Sequence, residues 1–164
     1  MSYLASLPTP QAKKCPTFCP PPLHAPHPMT VPELYTFHST QSPDHPLFMY
    51  ADGPGQPRTI PHSEAHRAIR RAARIASGHC KRLETRYAEQ RATKDGAEPP
   101  VVGLLSNSDT ITICTTLVGI MHAGLTPFPI STRNSAVGVA HLIAKTGILQ
   151  LFVSPDPAMQ RLSQ

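Results

Sequence analysis

The residues that most constrain the fold are 101–131, where a strand pattern, a helix pattern and a second strand pattern follow one another. Residues 101–105 form a short apolar run, which is typical of a buried strand. Residues 110–123 carry the helical period, and Gly124 is typical of the position just beyond a helix end. Residues 125–130 form a second extended run. Two strands joined by one helix at this spacing predict a βαβ unit with parallel strands.

The sequence that follows extends this unit towards the C-terminus. Residues 135–146 repeat the helical period as far as Gly147, and residues 148–153 form a third apolar run. Residues 158–164 begin one more helix after a proline-rich turn. The C-terminal half is therefore predicted to be a β-α-β-α-β arrangement with right-handed crossovers and parallel strands.

Smaller elements are predicted before the sheet. Thr30 and Glu33 form a capping box, which predicts a short helix over residues 32–39. Two strand patterns, at residues 47–50 and 58–60, flank a turn rich in glycine and proline and predict a β-hairpin.

The longest helical pattern covers residues 63–90 and is strongly basic. Nine of the 15 lysine and arginine residues lie between His62 and Lys94, largely off the apolar stripe. A basic helix can bind the phosphates of a nucleic acid, but no recognition motif or interleaved aromatic side chain accompanies this charge. A solvated helix face is the favoured interpretation, and nucleic acid binding is not favoured.

Residues 1–29 are predicted to form a disordered tail, because 13 of the 20 prolines lie within the first 57 residues and no hydrophobic period is present. A partner that recognises proline-rich segments is an alternative. The tail also holds soft metal ligands, but their spacing is looser than that of zinc motifs, and we predict no metal site. These ligands are Cys15, Cys19, His24 and His27. The predicted fold class is α/β: a partial parallel sheet preceded by a β-hairpin and a long basic amphipathic helix, with a disordered proline-rich N-terminus.

Composition restricts the setting of the chain. The four cysteines do not form a secreted disulfide framework, which predicts reduced thiols and a cytoplasmic location. No apolar run approaches the length of a membrane span, and no signal-peptide core follows Lys13 and Lys14. The net charge of +5 permits acidic partners without requiring them.

Ligands of open α/β sheets bind at the carboxyl ends of the strands. Here residues 106–109 enter a helix but lack the glycine-rich dinucleotide and phosphate-loop motifs, so a helix cap is the favoured interpretation. Asp109 is expected in the first helical turn, and Cys114 is expected to be a small core thiol. None of the nine histidines lies beside a nucleophile motif. We therefore predict no catalytic, cofactor-binding or metal-binding residue in this chain.

Residues 117–131 resemble an early core motif of the AMP-forming adenylating enzymes, the superfamily that includes acyl-CoA synthetases, luciferases and the adenylation domains of nonribosomal peptide synthetases. The likeness is carried by Ala123 and Gly124 at a helix end and by the proline-containing strand that follows. The hairpin and the entry to the long helix also look like that superfamily's first strand pair and helix. Residues 127–147 are similar to fungal synthetase-like reductases, which join an adenylation domain to a carrier domain and a reductase.

The resemblance implies that residues 30–164 are the truncated N-terminal part of an adenylation domain. The implied parent reaction converts a small carboxylic acid and ATP to acyl-AMP, then to a thioester, with a possible reduction. ATP and magnesium are implied for the whole protein, together with a phosphopantetheine carrier and NADPH where a reductase follows. The superfamily's phosphate loop, its adenine, ribose and magnesium segments and its lid are absent here. The chain alone is therefore expected to bind no cofactor and to be inactive.

Pro61 and His62 depart from the usual polar and aromatic residues at this helix entry, which puts the start of the helix in question. Two other hypotheses stay open: a non-catalytic binding module that uses the tail or the basic helix, and the product of a truncated gene. The expected partner is the remainder of the adenylation domain, with no membrane. The acid substrate, the thiol acceptor and the oligomeric state are not determined by this sequence.

Overall fold

The computed structural model describes residues 17–22, 27–51, 57–91 and 99–163, with the side chains of the longest helix described as far as Lys81. The chain divides into two compact units, residues 1–67 and residues 68–164. The elements confirm the predicted α/β fold class. In chain order they are α1 (Val31–Gln41), β1 (Pro46–Tyr50), β2 (Arg58–Pro61), α2 (His62–Arg91), β3 (Val101–Leu105), α3 (Thr110–His122), β4 (Thr126–Ile130), α4 (Ala136–Thr146), β5 (Gln150–Val153) and α5 (Pro157–Leu162).

The first unit contains α1 and the β1–β2 hairpin. The predicted capping box is present, since the backbone N–H and the hydroxyl of Thr30 each donate to Glu33 Oε2 at 2.8 Å. The hairpin is antiparallel, with Tyr50 opposite Arg58 and a bulge after Pro46. The turn that joins its strands, residues 52–56, lies outside the described residues.

The second unit is built on a three-stranded parallel sheet with strand order β4-β3-β5. Val101 pairs with Thr126 at one end of β3, and Leu105 pairs with Ile130 at the other. On its other side β3 pairs with β5, with Gly103 opposite Leu151. The predicted β-α-β-α-β arrangement is confirmed, although β5 begins two residues later than the apolar run predicted.

Both faces of the sheet are covered, because successive side chains of β3 point in opposite directions. Val102 is fully buried and packs with Ala76 of α2 and Ile120 of α3. Leu105 is also fully buried, and belongs to a second cluster with Val139 of α4 and Met159 of α5. The helices therefore form a layer on each face of the sheet, as expected for a parallel α/β sheet.

Helix ends follow the local signals in the sequence. Gly124 follows α3 with φ +73, and Gly147 caps α4 with φ +62, which is the left-handed conformation that glycine adopts at low cost. Both helix ends were predicted at these glycines. Asp156 caps α5, since its Oδ1 accepts from the Ala158 N–H at 2.6 Å.

Helix α2 confirms the predicted amphipathic pattern. As far as Lys81, its buried apolar side chains recur every three or four residues and its lysine and arginine side chains are exposed. Among the described residues no helix combines the length and the apolar character needed to cross a bilayer. The buried apolar set is Ala65, Ile69, Ala73, Ala76 and Cys80, and the exposed basic set is Arg67, Arg70, Arg71, Arg74 and Lys81.

Helices α2 and α3 approach each other closely at Gly119. A Cβ atom added at this position would lie 2.6 Å from Ala72 Cβ and 2.9 Å from the Ile69 carbonyl oxygen. Because the second of these atoms belongs to the backbone, a side-chain rotation cannot relieve the overlap. A residue without a Cβ is therefore what allows the two helices to pack at this distance.

We expect Gly119→Ala to destabilise the chain by about 1–3 kcal/mol, since the added methyl group forces the two helices apart. Gly78→Ala is the matched control, because a Cβ at Gly78 meets no atom within 4 Å. On an exposed helix position that change should stabilise by up to about 1 kcal/mol. Urea unfolding of each variant, followed by circular dichroism, measures both effects. Equal midpoints for Gly119→Ala and the wild type would contradict the close approach.

The outer strands of the sheet predict self-association of the isolated chain. In the described part of the chain, β4 and β5 each pair with β3 alone, and Leu151 and Phe152 of β5 are only half-buried. Strand edges with unpaired backbone groups and apolar side chains favour aggregation. Sedimentation velocity over a concentration series should show association and low solubility. A monomeric sample that unfolds cooperatively would contradict this expectation.

Candidate functional site

The loops that follow β3 and β5 meet at the carboxyl-terminal edge of the sheet, where ligands bind in open α/β folds. The Asn107 amide connects them, because its Nδ2 donates to Asp156 Oδ2 at 3.0 Å and its Oδ1 accepts from Ser154 Oγ at 2.9 Å. The Ser154 N–H also donates to the Leu105 carbonyl at 3.1 Å. Ser154 is buried, with 7% of its surface exposed. This edge is therefore a closed hydrogen-bond network that holds two loops together.

Asp109 uses its carboxylate to cap α3. One oxygen accepts from the Thr112 N–H at 2.9 Å and the other from the Thr112 hydroxyl at 2.6 Å. The pKa of this carboxyl lies below its ordinary value, mainly because of the Thr112 hydroxyl bond and then because of the backbone bond from the same residue. The helix-cap interpretation is confirmed, with Asp109 at the cap position itself rather than in the first turn.

The Asp156 carboxyl is held in the same way. Its pKa is lowered first by the hydrogen bond from the Asn107 amide and then by the Ala158 N–H. The Ser106 hydroxyl donates to Ser108 Oγ at 2.8 Å and accepts from the Ser108 N–H at 3.1 Å. Polar groups at this edge are thus occupied by capping and turn bonds.

An open cleft of about 250 Å³ lies beside this network. Its lining combines apolar side chains with hydroxyl groups, and it contains no histidine, cysteine, lysine or carboxylate. Such a lining can surround an apolar group but offers no general acid, base or activated nucleophile. The apolar part of the lining is Ala72, Ile75, Ala76, Leu104, Ile120, Phe152 and Val153, and the hydroxyl part is Ser106, Ser108, Thr112, Thr116 and Ser154.

A second cleft, of about 400 Å³, lies along the basic side of α2 and beside the end of α3. Arg70, Arg74 and Lys81 line it together with His122. The three α2 residues are exposed, which agrees with the predicted solvated face. That this face does not bind nucleic acid stays a prediction.

The structure brings together three histidines that the sequence separates. The rings of His38 and His62 lie 4.8 Å apart between centroids, and the rings of His45 and His62 lie 6.0 Å apart and nearly parallel. Phe18 adds its ring to the same stack, 5.2 Å from His38. Spacing along the chain gave no signal for this cluster, because its members come from a loop, a helix and a helix start.

Burial controls the charge of these rings. The pKa of His62 is lowered from 6.5 to about 4, first by burial and then by the positive charges that His38 and His45 would carry. The pKa of His38 is lowered for the same two reasons, with His45 as the charge. His38 and His62 are each 7% exposed, and the Nδ1 atom of each lacks a hydrogen-bond partner in the described part of the chain. Burial therefore favours the neutral form of His38 and His62.

The expected metal ligands of the tail are only partly described. Cys15 and His24 lie outside the described residues, while Cys19 is half-buried and His27 is exposed. No group of three or more potential metal ligands with suitable geometry occurs among the residues that the structure describes.

Cys114 is not the core thiol that the helical period suggested. It is only half-buried, whereas Cys80 of α2 is 2% exposed and packs in the core. The buried face of α3 is centred on Thr115, Val118 and Gly119, which leaves Cys114 at the margin of that face. The position of each cysteine on its helix, rather than thiol chemistry, accounts for the difference in burial between Cys80 and Cys114.

Comparison with known proteins gives a sequence relationship over nearly the whole chain. It is 43% identical over 156 residues to adenylate-forming reductase Nps10 of Heterobasidion annosum, covering 93% of this chain and 14% of that protein. Adenylate-forming reductase Nps11 of Serpula lacrymans is 30% identical over 125 residues, covering 75% of this chain and 10% of that protein. No protein-family model matches the chain.

Solved structures share the fold of this chain. The N-terminal subdomain of Klebsiella oxytoca NpsA, in complex with anthranilyl-AMSN, superposes with a TM-score of 0.55 at 13% identity, over 74% of this chain and 26% of that one. Mycobacterium tuberculosis fatty acyl CoA synthetase superposes with a TM-score of 0.50 at 18% identity, over 71% of this chain and 20% of that one. At these identities the likeness is one of fold.

The chain belongs to the superfamily of AMP-forming adenylating enzymes. Within this superfamily it corresponds to a part of an adenylating enzyme, since it spans only 14% and 10% of the two reductases. The superfamily motif that identified it occupies the end of α3 and strand β4, at Ala123, Gly124 and Thr126–Ile130. The unusual helix entry does not prevent the helix, because α2 begins at His62 immediately after β2.

These similarities assign none of the described residues of this chain to nucleotide or substrate binding. The prediction that the chain holds no catalytic, cofactor-binding or metal-binding residue stays a prediction. The groups that sequence reasoning did not foresee are the Asn107 bridge and the histidine cluster. Both depend on contacts between segments more than 15 residues apart. A local pattern carries no signal for such contacts.

We expect Asp109→Ala to lower the unfolding midpoint at pH 7, because α3 loses its cap. Asp109→Asn is the matched control, since asparagine keeps a capping acceptor but does not titrate near pH 4.

The lowered pKa of Asp109 means that its negative charge stabilises the fold at pH values above the ordinary pKa of 3.8. This stabilisation is lost as pH falls through the folded-state pKa. Thermal unfolding from pH 7 to pH 3 should therefore show the wild type losing its advantage over Asp109→Asn at the acid end. An advantage that does not change with pH would contradict the assignment.

Proposed function

We propose that this chain is the N-terminal part of the frame of an adenylation domain, in a protein that activates a carboxylic acid with ATP. The parent reaction joins the acid to AMP and releases pyrophosphate, and the acyl group then passes to a thiol and is reduced. The observation that carries the proposal is the 43% identity, over 156 residues, to an adenylate-forming reductase.

The geometry favours a structural role for this chain over a catalytic one. The polar side chains at the carboxyl-terminal edge of the sheet are engaged with each other, as in the Asn107 bridge and the Asp109 cap. The adjacent cleft offers hydroxyl groups without a base to activate them. In this proposal the chain positions two loops, which Ser154 and Asn107 connect, at the sheet edge where ligands bind in open α/β folds.

In the proposed full-length protein, ATP and magnesium bind to parts of the adenylation domain that are not contained in this chain. A phosphopantetheine carrier and NADPH serve the thiol transfer and the reduction. The partner of this chain is the remainder of its own domain, the substrate is a small carboxylic acid, and the location is cytoplasmic. The half-buried apolar strand β5, with a single neighbour in the described region, is consistent with a sheet that continues.

The first experiment measures ATP–pyrophosphate exchange by the purified chain with a panel of carboxylic acids. We expect no exchange above that of a sample without protein, because no nucleophile, base or metal site for the reaction is present in the described cleft. Exchange above this background would contradict a purely supporting role.

A second experiment tests whether the chain can serve as the frame. The segment of Nps10 that matches this chain is replaced by this chain, and the chimera is assayed by the same exchange reaction. We expect exchange with the chimera and none with a matched protein that lacks the segment. A chimera that is folded by circular dichroism, yet gives no exchange, would contradict the proposal.

A further inference from the structure

Residues 17–22 of the proline-rich segment lie against the rest of the first unit and are held by three kinds of contact. The Phe18 ring stacks on His38 at 5.2 Å and 25°, and lies 4.9 Å from the His45 ring. The Cys19 N–H donates to Ser42 Oγ at 2.7 Å. Thr17 Oγ1 lies 3.2 Å from His45 Nδ1. An aromatic ring, a backbone donor and a side-chain hydroxyl thus hold one short segment in place.

The surface that receives this segment is buried and polar. Ser42 is completely buried, and His38 and His62 each expose 7% of their surface. The rings of His38 and His62 lie 4.8 Å apart and are tilted by 31°, and Phe18 stacks on His38. Both buried rings carry an Nδ1 atom without a hydrogen-bond partner among the described groups. A proton added there would have to remain in a desolvated position.

The charges around the cluster do not compensate such a proton. Helix α1 contributes His38, and the loop before β1 contributes His45 and the exposed Asp44. The start of α2 contributes His62, the exposed Glu64 and His66. The Nε2 atom of His66 lies 3.4 Å from Thr36 Oγ1. The segment 17–22 contributes no charged side chain, with Cys19 as its one titratable group. Apart from burial, the influences that lower the pKa of His62 are the charges of His38 and His45.

We propose that residues 17–22 form a strap that is held on the histidine cluster while His38 and His62 are neutral and is released when these two rings take up protons. A single imidazolium facing Phe18 would gain cation–π attraction. A second proton would bring two positive rings to within 4.8 Å in a buried place, and this repulsion opposes the packed arrangement. Releasing the strap exposes the His38 ring, on which Phe18 stacks, to water and lowers that cost.

The direction of the pH effect follows from linkage. In the strapped state burial lowers the pKa of His38, the ring on which Phe18 stacks, below the value of about 6.5 for an imidazole in water. Below about pH 6.5 the released state therefore binds more protons than the strapped state does, and a fall in pH favours release. Linkage is reciprocal, and removal of the strap must therefore raise the titration midpoint of His38.

The test uses the full chain and nuclear magnetic resonance. The protection factor of the Cys19 amide reports the strap, that of the Leu105 amide reports the sheet, and the ring resonances report the histidine titrations. As pH falls from 7 to 4 we expect Cys19 to lose protection in step with the titration of His38, while Leu105 keeps its protection. Cys19 protection that survives the titration of His38 would overturn the proposal, as would simultaneous loss at Cys19 and Leu105.

Two variants separate the strap from general instability. Phe18→Ala should remove Cys19 protection at pH 7 and shift the His38 midpoint upward, with Leu105 unchanged. His38→Phe keeps an aromatic surface but removes one titrating ring, and should move the loss of Cys19 protection to lower pH. His141→Gln, at an exposed position on α4, is the control and should change neither readout. An unchanged His38 midpoint in Phe18→Ala would overturn the proposal.

Discussion

The pairing of β3 with both of its neighbours is the constraint on which the second unit depends. In the described structure β4 and β5 bond to β3 and not to each other, so the sheet exists only through this strand. Val102 and Leu105 point from it to opposite faces and organise the helix layer on each. The same pairing brings the ends of β3 and β5 together, which allows Asn107 to reach Ser154 and Asp156. The site at the sheet edge is thus a consequence of strand order.

Sequence patterns predicted the elements because the signals for them are local. Asp109 and Gly124 mark the ends of α3 through contacts with the nearest turn, and these contacts need no knowledge of the rest of the fold. Strand order was not predictable in this way, since a third parallel strand can be added beside β3 or beside β4. The histidine cluster was missed for a related reason: Phe18, His38 and His62 are separated by 20 residues or more along the chain.

The family signal and the chemistry of the family occupy different places. Ala123, Gly124 and β4, which carry the resemblance to the superfamily, form a helix end and the strand that follows it. Gly119 meets a packing requirement, since the approach of α2 and α3 admits no Cβ there. Packing requirements of this kind are satisfied by few residue types, and therefore leave a recognisable pattern even where no catalytic group is present.

Acid acts on the two units through different groups and at different pH. In the first unit, the free-energy cost of keeping the buried imidazoles neutral begins to grow as pH falls below the ordinary pKa of 6.5. For His62 this cost stops growing near its lowered pKa of about 4. In the second unit the carboxylates of Asp109 and Asp156 have pKa values lowered from 3.8, so their caps persist until pH falls below that value. Each unit loses stability on acidification, but the histidine cluster responds first. Contacts around Phe18 can therefore change at a pH where the frame of the sheet is still intact.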